Sequence, residues 1–176
     1  MIRQDVTTDE ITTALARMVE AYDDLTPLNQ DIGVFMLEST KQNFVAGTSP
    51  DGTPWAPKSM ATMDAYRRSE AKGANGAVPV QPLIGVSKAL STTISYEADP
   101  EGVNWGSNQI YAAVMQMGAQ AGEFGARIGK DKNGRDFMMS IPWGDIPARP
   151  FLGIGPEDET GILEIIEDYL KDAAGD

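Results

Sequence analysis

Apolar residues recur every three or four positions in two stretches near the start of the chain. The first stretch, 8–23, follows Thr7, and Glu10 comes three residues later, so the pair fits a capping box and the pattern predicts a helix. The second stretch, 26–47, begins with Thr26 as a cap and a proline in the first turn, which predicts a second helix. Together the two stretches predict a helical hairpin.

The same spacing returns at the end of the chain. Apolar residues at Ile162, Ile166 and Tyr169 predict an amphipathic C-terminal helix within 154–176. A shorter helix is predicted at 60–69. The stretch that follows, 70–81, is rich in Gly and Ala and has no period, so it predicts a mobile loop.

Residues 82–106 favour β structure. The segment 90–96 is enriched in β-branched and aromatic residues and predicts a strand, followed by a turn at 99–102 and a return strand from 103. The residues expected on one face of the first strand are Leu90, Thr92, Ile94 and Tyr96.

Two further elements are predicted before the last helix. Residues 111–117 predict a short helix with Val114 and Met117 facing inward. Residues 127–130 and 137–141 flank an Asn-Gly pair, which predicts a β-hairpin because both residues tolerate a positive φ. The tip at 131–136 resembles a calcium loop, but its glycine is not where an EF-hand loop needs it, so a plain hairpin with a basic tip is expected there.

These elements predict an α+β fold. The helical hairpin and the C-terminal helix would pack on a mostly antiparallel β-sheet, with a long flexible loop between them. A chain of 176 residues fits a single domain, 1–176. Its predicted parts are the helical hairpin 1–47, the turn and mobile loop 48–81, the β-rich region 82–153 and the C-terminal helix 154–176.

Composition removes most enzyme classes. The chain has no cysteine and no histidine, so it lacks thiol catalysis, zinc thiolate sites and the commonest general base. Ser87 and Lys88 are adjacent, and in a strand their side chains would point to opposite faces. The acidic run 157–159 is explained by the dipole at a helix start. No enzyme activity, cofactor or metal is predicted.

The numbers of acidic and basic residues argue against general binding of nucleic acid. There are 26 acidic and 14 basic residues, a net charge of −12, and general nucleic-acid binding needs clustered Lys and Arg. A wall of like charge could still let DNA slide past. No apolar run is long enough to span a membrane, so we expect the chain in the cytoplasm unless it leaves inside a particle.

The segment 146–153 reads Ile-Pro-Ala-Arg-Pro-Phe-Leu-Gly. Two prolines in four residues exclude helix and central strand, so an extended arm is predicted. Phe151 and Leu152 are expected to fill a pocket, either in this chain or in a neighbour. Arg149 has two candidate kinds of partner, a carboxylate of a neighbouring subunit or Asp145 or Glu157 of its own chain.

Trp55 also has two interpretations. It could anchor a subunit contact, or it could cap its own core from a loop. The full set of candidate subunit-interface residues is Trp55, Arg67, Arg68, Lys72, Pro147, Arg149, Pro150, Phe151 and Leu152.

Three blocks, in their order, carry a family resemblance. The first block holds Asn43-Phe44 and the run 49–57, the second holds Pro82-Leu83 and the runs 105–108 and 111–118, and the third is 146–153. In this order they resemble the phage virion morphogenesis family, also called the tail completion family, of Mu-like and related tailed phages. The likeness covers about 32–170. In the second block this chain has Met115 where the family usually has histidine, which favours a packing role at that position.

The resemblance implies a structural protein of the head–tail joint, needed for virion assembly. It implies a closed ring of copies of this chain, six-fold as in related tail tubes, that terminates the tail or forms the neck and leaves a lumen. The expected partners are the chain itself, a tail tube or sheath protein and a neck or head-completion protein. DNA would pass through without specific binding, and no membrane is involved. The protein would reside in the virion after assembly in the host cytoplasm.

Three alternatives stay open at this point. The chain could be a chaperone-like assembly factor for tail morphogenesis that is absent from the finished virion. It could be a carboxylate hydrolase that acts during morphogenesis, or a neck plug that contacts DNA.

Overall fold

The computed structural model describes residues 9–70, 79–130 and 132–174. Its elements confirm the α+β class. In chain order they are α1 (Asp9–Asp23), α2 (Thr26–Ala46), α3 (Met60–Glu70), α4 (Ala89–Thr92), β1 (Ile94–Asp99), β2 (Gly102–Ser107), α5 (Ala112–Met117), β3 (Ala126–Lys130), β4 (Asp136–Ser140) and α6 (Pro156–Ala174). The predicted cap Thr7 and the centre of the predicted loop, 71–78, lie outside the described residues.

The helical predictions are confirmed to within a few residues, and α2 has a cap that the sequence did not reveal. The Oδ1 atom of Asp24 accepts a hydrogen bond from the backbone N–H of Thr26 at 2.9 Å, so Asp24 rather than Thr26 supplies the capping oxygen. Hydrogen bonds from Thr26 hold the pKa of Asp24 below its usual value.

The strand predicted at 90–96 is wrong in its first half. Residues 89–92 form the short helix α4, and β1 begins at Ile94. The hydroxyl groups of Ser91, Thr92 and Thr93 donate to the carbonyl oxygens of Lys88 and Ala89 and so stabilise a helical turn. The β-branched threonines that suggested a strand therefore bond back along the chain.

The strands form two separate hairpins instead of one sheet. β1 pairs with β2 across the predicted turn, where the Asp99 carboxylate accepts from the N–H groups of Glu101 and Gly102. β3 pairs antiparallel with β4 in a register that sets Ile128 opposite Met138. The Asn-Gly hairpin prediction is thus confirmed.

Contacts divide the chain into two compact units. Unit 1 comprises 1–39, 95–105 and 156–176, and unit 2 comprises 40–94 and 106–155. This division does not follow the four predicted segments, and the prediction of a single domain stays a prediction.

Unit 1 is organised around the first half of α2. Leu28, Ile32 and Met36 form its buried cluster, and Trp105 and Ile166 are among the half-buried residues packed against it. In the same unit Tyr169 of α6 donates a hydrogen bond to the carbonyl oxygen of Ala21 at 2.9 Å, which ties α6 to the end of α1.

Unit 2 contains a core of its own. Phe44, Trp55 and Phe151 are buried there, as are Leu90 and Ile94. Within the described residues, no helix is both long enough and apolar enough to cross a membrane.

Candidate functional site

The proline segment lies inside unit 2. Phe151 is fully buried, and its ring centroid lies 5.4 Å from that of Phe44. Trp55 packs edge-on against Phe44, with the two ring centroids also 5.4 Å apart. The indole Nε1 of Trp55 donates to the carbonyl oxygen of Pro150 at 2.7 Å. The pocket that Phe151 fills therefore belongs to this chain, and Trp55 caps its own core.

Arg149 is held by backbone carbonyl groups. Its Nε donates to the carbonyl oxygen of Ala56 at 2.7 Å and its Nη2 to that of Pro57 at 2.9 Å, and Nη1 makes a longer contact of 3.4 Å with Pro147. The residue is only 8% exposed, and burial lowers the pKa of its guanidinium. Across the described chain these carbonyl oxygens, and neither predicted carboxylate, are its hydrogen-bond partners.

Gln116 holds the other side of the same segment. Its Oε1 accepts from the backbone N–H groups of Phe151 at 2.9 Å and Leu152 at 3.1 Å, and its Nε2 donates to the carbonyl oxygen of Leu152 at 2.8 Å. One amide side chain thus makes hydrogen bonds to three backbone groups of a proline-containing segment that has no neighbouring strand to pair with. Sequence reasoning missed this role, although Gln116 stands in the second of the three blocks.

Gly118 allows the backbone to approach. Its φ is +77°, and a Cβ atom there would lie 2.7 Å from the carbonyl oxygen of Ile146 and 2.8 Å from the nitrogen of Ala148. Glycine is required both by the positive φ and by this contact. Gln116 and Gly118 of the second block therefore position the proline segment, which is the third block.

Lys58 is a half-buried cation near the segment. Its Nζ donates to the carbonyl oxygens of Pro79 at 2.5 Å and Ile84 at 2.6 Å and lies 5.0 Å from the ring centroid of Tyr66. Burial lowers the pKa of Lys58, and the charge of Arg149 lowers it further. No pattern in the sequence predicted this role of Lys58.

A cavity of about 630 Å³ opens in unit 2 beside these two cations. Its wall is mostly apolar and aromatic and includes Tyr66, Leu83, Leu90, Tyr111, Met115 and Trp143. Lys58 and Arg149 also line it, but their donors are engaged with carbonyl groups of their own chain. The cavity is therefore suited to apolar side chains rather than to a charged substrate.

The predicted interface residues divide by exposure. Trp55, Arg149 and Phe151 are buried by contacts within unit 2. The half-buried members are Pro150 and Leu152; the exposed members are Arg67, Arg68 and Pro147; and Lys72 lies outside the described residues. Arg67 forms an ion pair with Asp64 at 3.2 Å. The role of this set in subunit contacts stays a prediction.

The exposed apolar surface of the β3–β4 hairpin was not predicted. Eight of the ten residues of β3 and β4 are exposed, including Ile128 at 71% and Met138 at 77%. Trp143, just beyond the hairpin, is 73% exposed. Met117 was expected to face inward and is 77% exposed, so that prediction is wrong. Met115, two residues earlier in α5, lines the cavity instead.

The structure bears on two kinds of chemical site that the sequence raised, a metal site and a Ser-Lys pair. In the described ranges, no group of three or more acidic side chains could hold a metal ion. Ser87 and Lys88 are not in a strand, as assumed, but in the turn that leads into α4, where Lys88 has a φ of 53°. In the network around the proline segment, the side chains of Arg149 and Gln116 form hydrogen bonds to backbone groups and so hold the segment in place.

Comparison with known proteins decides the family. A model of the phage virion morphogenesis family matches residues 6–171, nearly the whole chain. The chain belongs to the phage virion morphogenesis family. It is 29% identical over 162 residues to the Mu-like prophage FluMu G protein 2 of Haemophilus influenzae, covering 92% of this chain and 90% of that protein.

A second relative comes from a different phage. The tail completion protein S of Escherichia phage P2 is 26% identical over 144 residues, which cover 82% of this chain and 83% of that protein. No solved structure gives a significant match. In this member of the virion morphogenesis family, residues from all three blocks that carried the resemblance meet in unit 2. Phe151 of the third block packs against Phe44 of the first block, and its backbone N–H donates to Gln116 of the second block.

Proposed function

We propose that this chain is a structural subunit of the head–tail joint that completes the tail. Copies would close into a ring of six that terminates the tail or joins it to the neck. The observation that carries the proposal is the match to the virion morphogenesis family across residues 6–171. The chain would have no catalytic role.

The exposed apolar residues support an assembly role. Ile128, Met138 and Trp143 are each more than two-thirds exposed and lie within one stretch of 16 residues. Large apolar side chains grouped on a surface are typical of sites that another protein covers. In a ring, they would be covered by a neighbouring copy or by a tail or neck protein.

In this proposal the main role of the proline segment is to stabilise unit 2. Its arginine, its phenylalanine and its backbone are satisfied within unit 2, so little of it is free to reach a neighbour. Pro147 is exposed, as are Arg67 and Arg68 of α3. We propose that these exposed members, with the loop 70–81, contribute to contacts between copies.

The charge of the chain fits a channel for DNA. A net charge of −12 disfavours binding to phosphates, so DNA would pass through the lumen of the ring without specific contacts. The expected neighbours are a tail tube or sheath protein on one side and a neck or head-completion protein on the other.

The first test is genetic. In a phage that carries this chain, removing it should leave filled heads and unjoined or unfinished tails in electron micrographs, and supplying the chain in trans should restore infectious particles. Normal particles without the chain would overturn the proposal. Mass spectrometry of purified virions separates a resident subunit from an assembly factor, because only the resident subunit stays in the finished particle.

The second test is the deletion of residues 71–78 of the loop, which keeps Pro79 and Gln81, the partners of Lys58 and of the end of α2. The shortened chain should keep its far-ultraviolet circular dichroism spectrum and fail to restore particles. Full restoration would show that the loop has no part in assembly, and an unfolded product would mean that the loop belongs to the fold.

A further inference from the structure

Acidic and basic residues are divided unequally between the two units. Unit 1 holds three of the 14 basic and 19 of the 26 acidic residues, a formal charge of −16, and unit 2 holds the other 11 basic and seven acidic residues, a formal charge of +4. Each copy therefore carries one strongly acidic and one weakly basic unit. Two copies attract each other most when the basic unit of one meets the acidic unit of the next.

Unit 2 presents an uncovered sheet face. In the β3–β4 register Ile128 stands opposite Met138, so both side chains lie on the same face, and they are 71% and 77% exposed. A two-stranded hairpin that packs on nothing is marginally stable in water. Lys130 and Asp136, which form an ion pair at 2.7 Å, lie on this same face. Exposed Arg127 lies on the opposite face of β3, and exposed Lys132 lies in the turn that joins the two strands.

Unit 1 presents an uncovered helix face. Leu15, Val19 and Tyr22 of α1 follow one another at intervals of four and three residues and are 56%, 62% and 76% exposed. The neighbouring face of the same helix, which carries Met18, is half-buried within unit 1.

Charges flank this stripe. Exposed Glu20 and Asp23 lie next to it, and Arg17 is an exposed cation on the same helix. The stripe is therefore apolar with a mainly acidic border, whereas the hairpin belongs to the unit with a net positive charge and carries the exposed cations Arg127 and Lys132.

We propose that the hairpin face of one copy, centred on Ile128 and Met138, docks on the α1 stripe of the next copy, Leu15, Val19 and Tyr22. This contact rests on the proposed function, because it supplies the repeating joint of the ring. It joins different surfaces of the two copies, and such head-to-tail contacts generate a closed ring when the rotation between copies closes. A symmetric contact through α1 alone would bring two units of −16 together.

The test uses two variants with one damaged surface each. Ile128→Glu places a carboxylate on the hairpin face, and Val19→Lys places an ammonium group on the helix stripe; both positions are exposed, so folding should not change. The matched controls are Val86→Glu and Val34→Lys, which are 72% and 54% exposed. Met138→Glu is a second hairpin variant, should the first one lose its circular dichroism signal.

Molar mass is measured by light scattering on a sizing column across a concentration series. The wild type and both controls should form multimers, and each variant alone should associate at least roughly tenfold more weakly. An equimolar mixture of the two variants should give a species of twice the monomer mass, because the hairpin variant keeps an intact α1 stripe and the helix variant keeps an intact hairpin.

Each contrary outcome has its own meaning. Variants that assemble as the wild type does would overturn the pairing, and so would a mixture that stays monomeric or a wild type that never associates. The role in tail completion is decided separately, by whether the wild-type chain restores particles in the genetic test. A chain that restores particles but fails these mass measurements would refute the proposed contact and leave the function standing.

Discussion

At the scale of single residues, the site depends on polar side chains that form hydrogen bonds to backbone N–H and carbonyl groups. The sequence identified Arg149 as important, but neither of the carboxylates predicted as partners in its own chain bonds to it. Asp145 and Glu157 are visible nearby in the sequence, whereas the carbonyl groups of Ala56 and Pro57 become partners only because the chain returns to them 92 and 93 residues later. Backbone acceptors leave no mark on composition or spacing, so neither this contact nor the role of Gln116 could be predicted from residue types.

Replacing Arg149 with lysine should destabilise unit 2. Lysine keeps the charge but lacks the planar fork that reaches two carbonyl groups at once, so the carbonyl of Ala56 or that of Pro57 would lose this partner. We expect a loss of about 2 kcal/mol in the free energy of unfolding, measured by urea denaturation. The control is Arg68→Lys at an exposed position of α3, which should leave the curve unchanged. Identical curves for the two variants would mean that the carbonyl contacts do not stabilise the fold.

At the scale of elements, periodicity predicted the long helices and turn chemistry predicted the β3–β4 hairpin. The failure at 90–96 has a local cause, since three hydroxyl side chains bond to carbonyl groups of the preceding residues and favour a helical turn over a strand. Which elements pack closely against each other could not be predicted from the sequence either. Gly33 of α2, for example, lies under the ring of Tyr96 of β1 within unit 1.

Replacing Gly33 with alanine should destabilise unit 1, although alanine favours helix. The new Cβ would lie 2.3 Å from the Cδ2 atom and 2.9 Å from the Cγ atom of Tyr96, so the whole ring would have to move. Overpacking of this kind costs about 1–3 kcal/mol, which should exceed the gain of up to about 1 kcal/mol in helix propensity. Thermal unfolding followed by circular dichroism should show a lower midpoint for Gly33→Ala.

The matched control is Gly102→Ala, where the added Cβ meets nothing within 4 Å. It should leave the midpoint near that of the wild type. A Gly33→Ala protein as stable as the wild type would mean that Tyr96 moves aside freely and that α2 and β1 are loosely packed.

At the scale of the whole molecule, the net charge of −12 conceals a division that only the fold makes visible. The three segments of unit 1 come from the start, the middle and the end of the chain, so their acidic residues do not form one block in the sequence. From composition alone the chain is uniformly acidic and self-repelling. With the units known, the same charges favour an ordered contact between unlike surfaces, and this contact should respond to salt.

Association of the wild-type chain should therefore weaken as salt is added. At about 0.05 M salt the Debye length exceeds 10 Å, and at about 0.5 M it is under 5 Å, so the attraction between units of −16 and +4 is largely screened. We expect the dissociation constant, measured by sedimentation, to rise roughly tenfold across this range. The Arg127→Glu/Lys132→Glu variant reverses two exposed charges of the β3–β4 hairpin and lowers the formal charge of unit 2 from +4 to 0. It should associate weakly even at low salt and show little further change. Association that strengthens with salt would instead indicate a purely apolar contact opposed by the overall negative charge, and the charge division would then have no role in joining the copies.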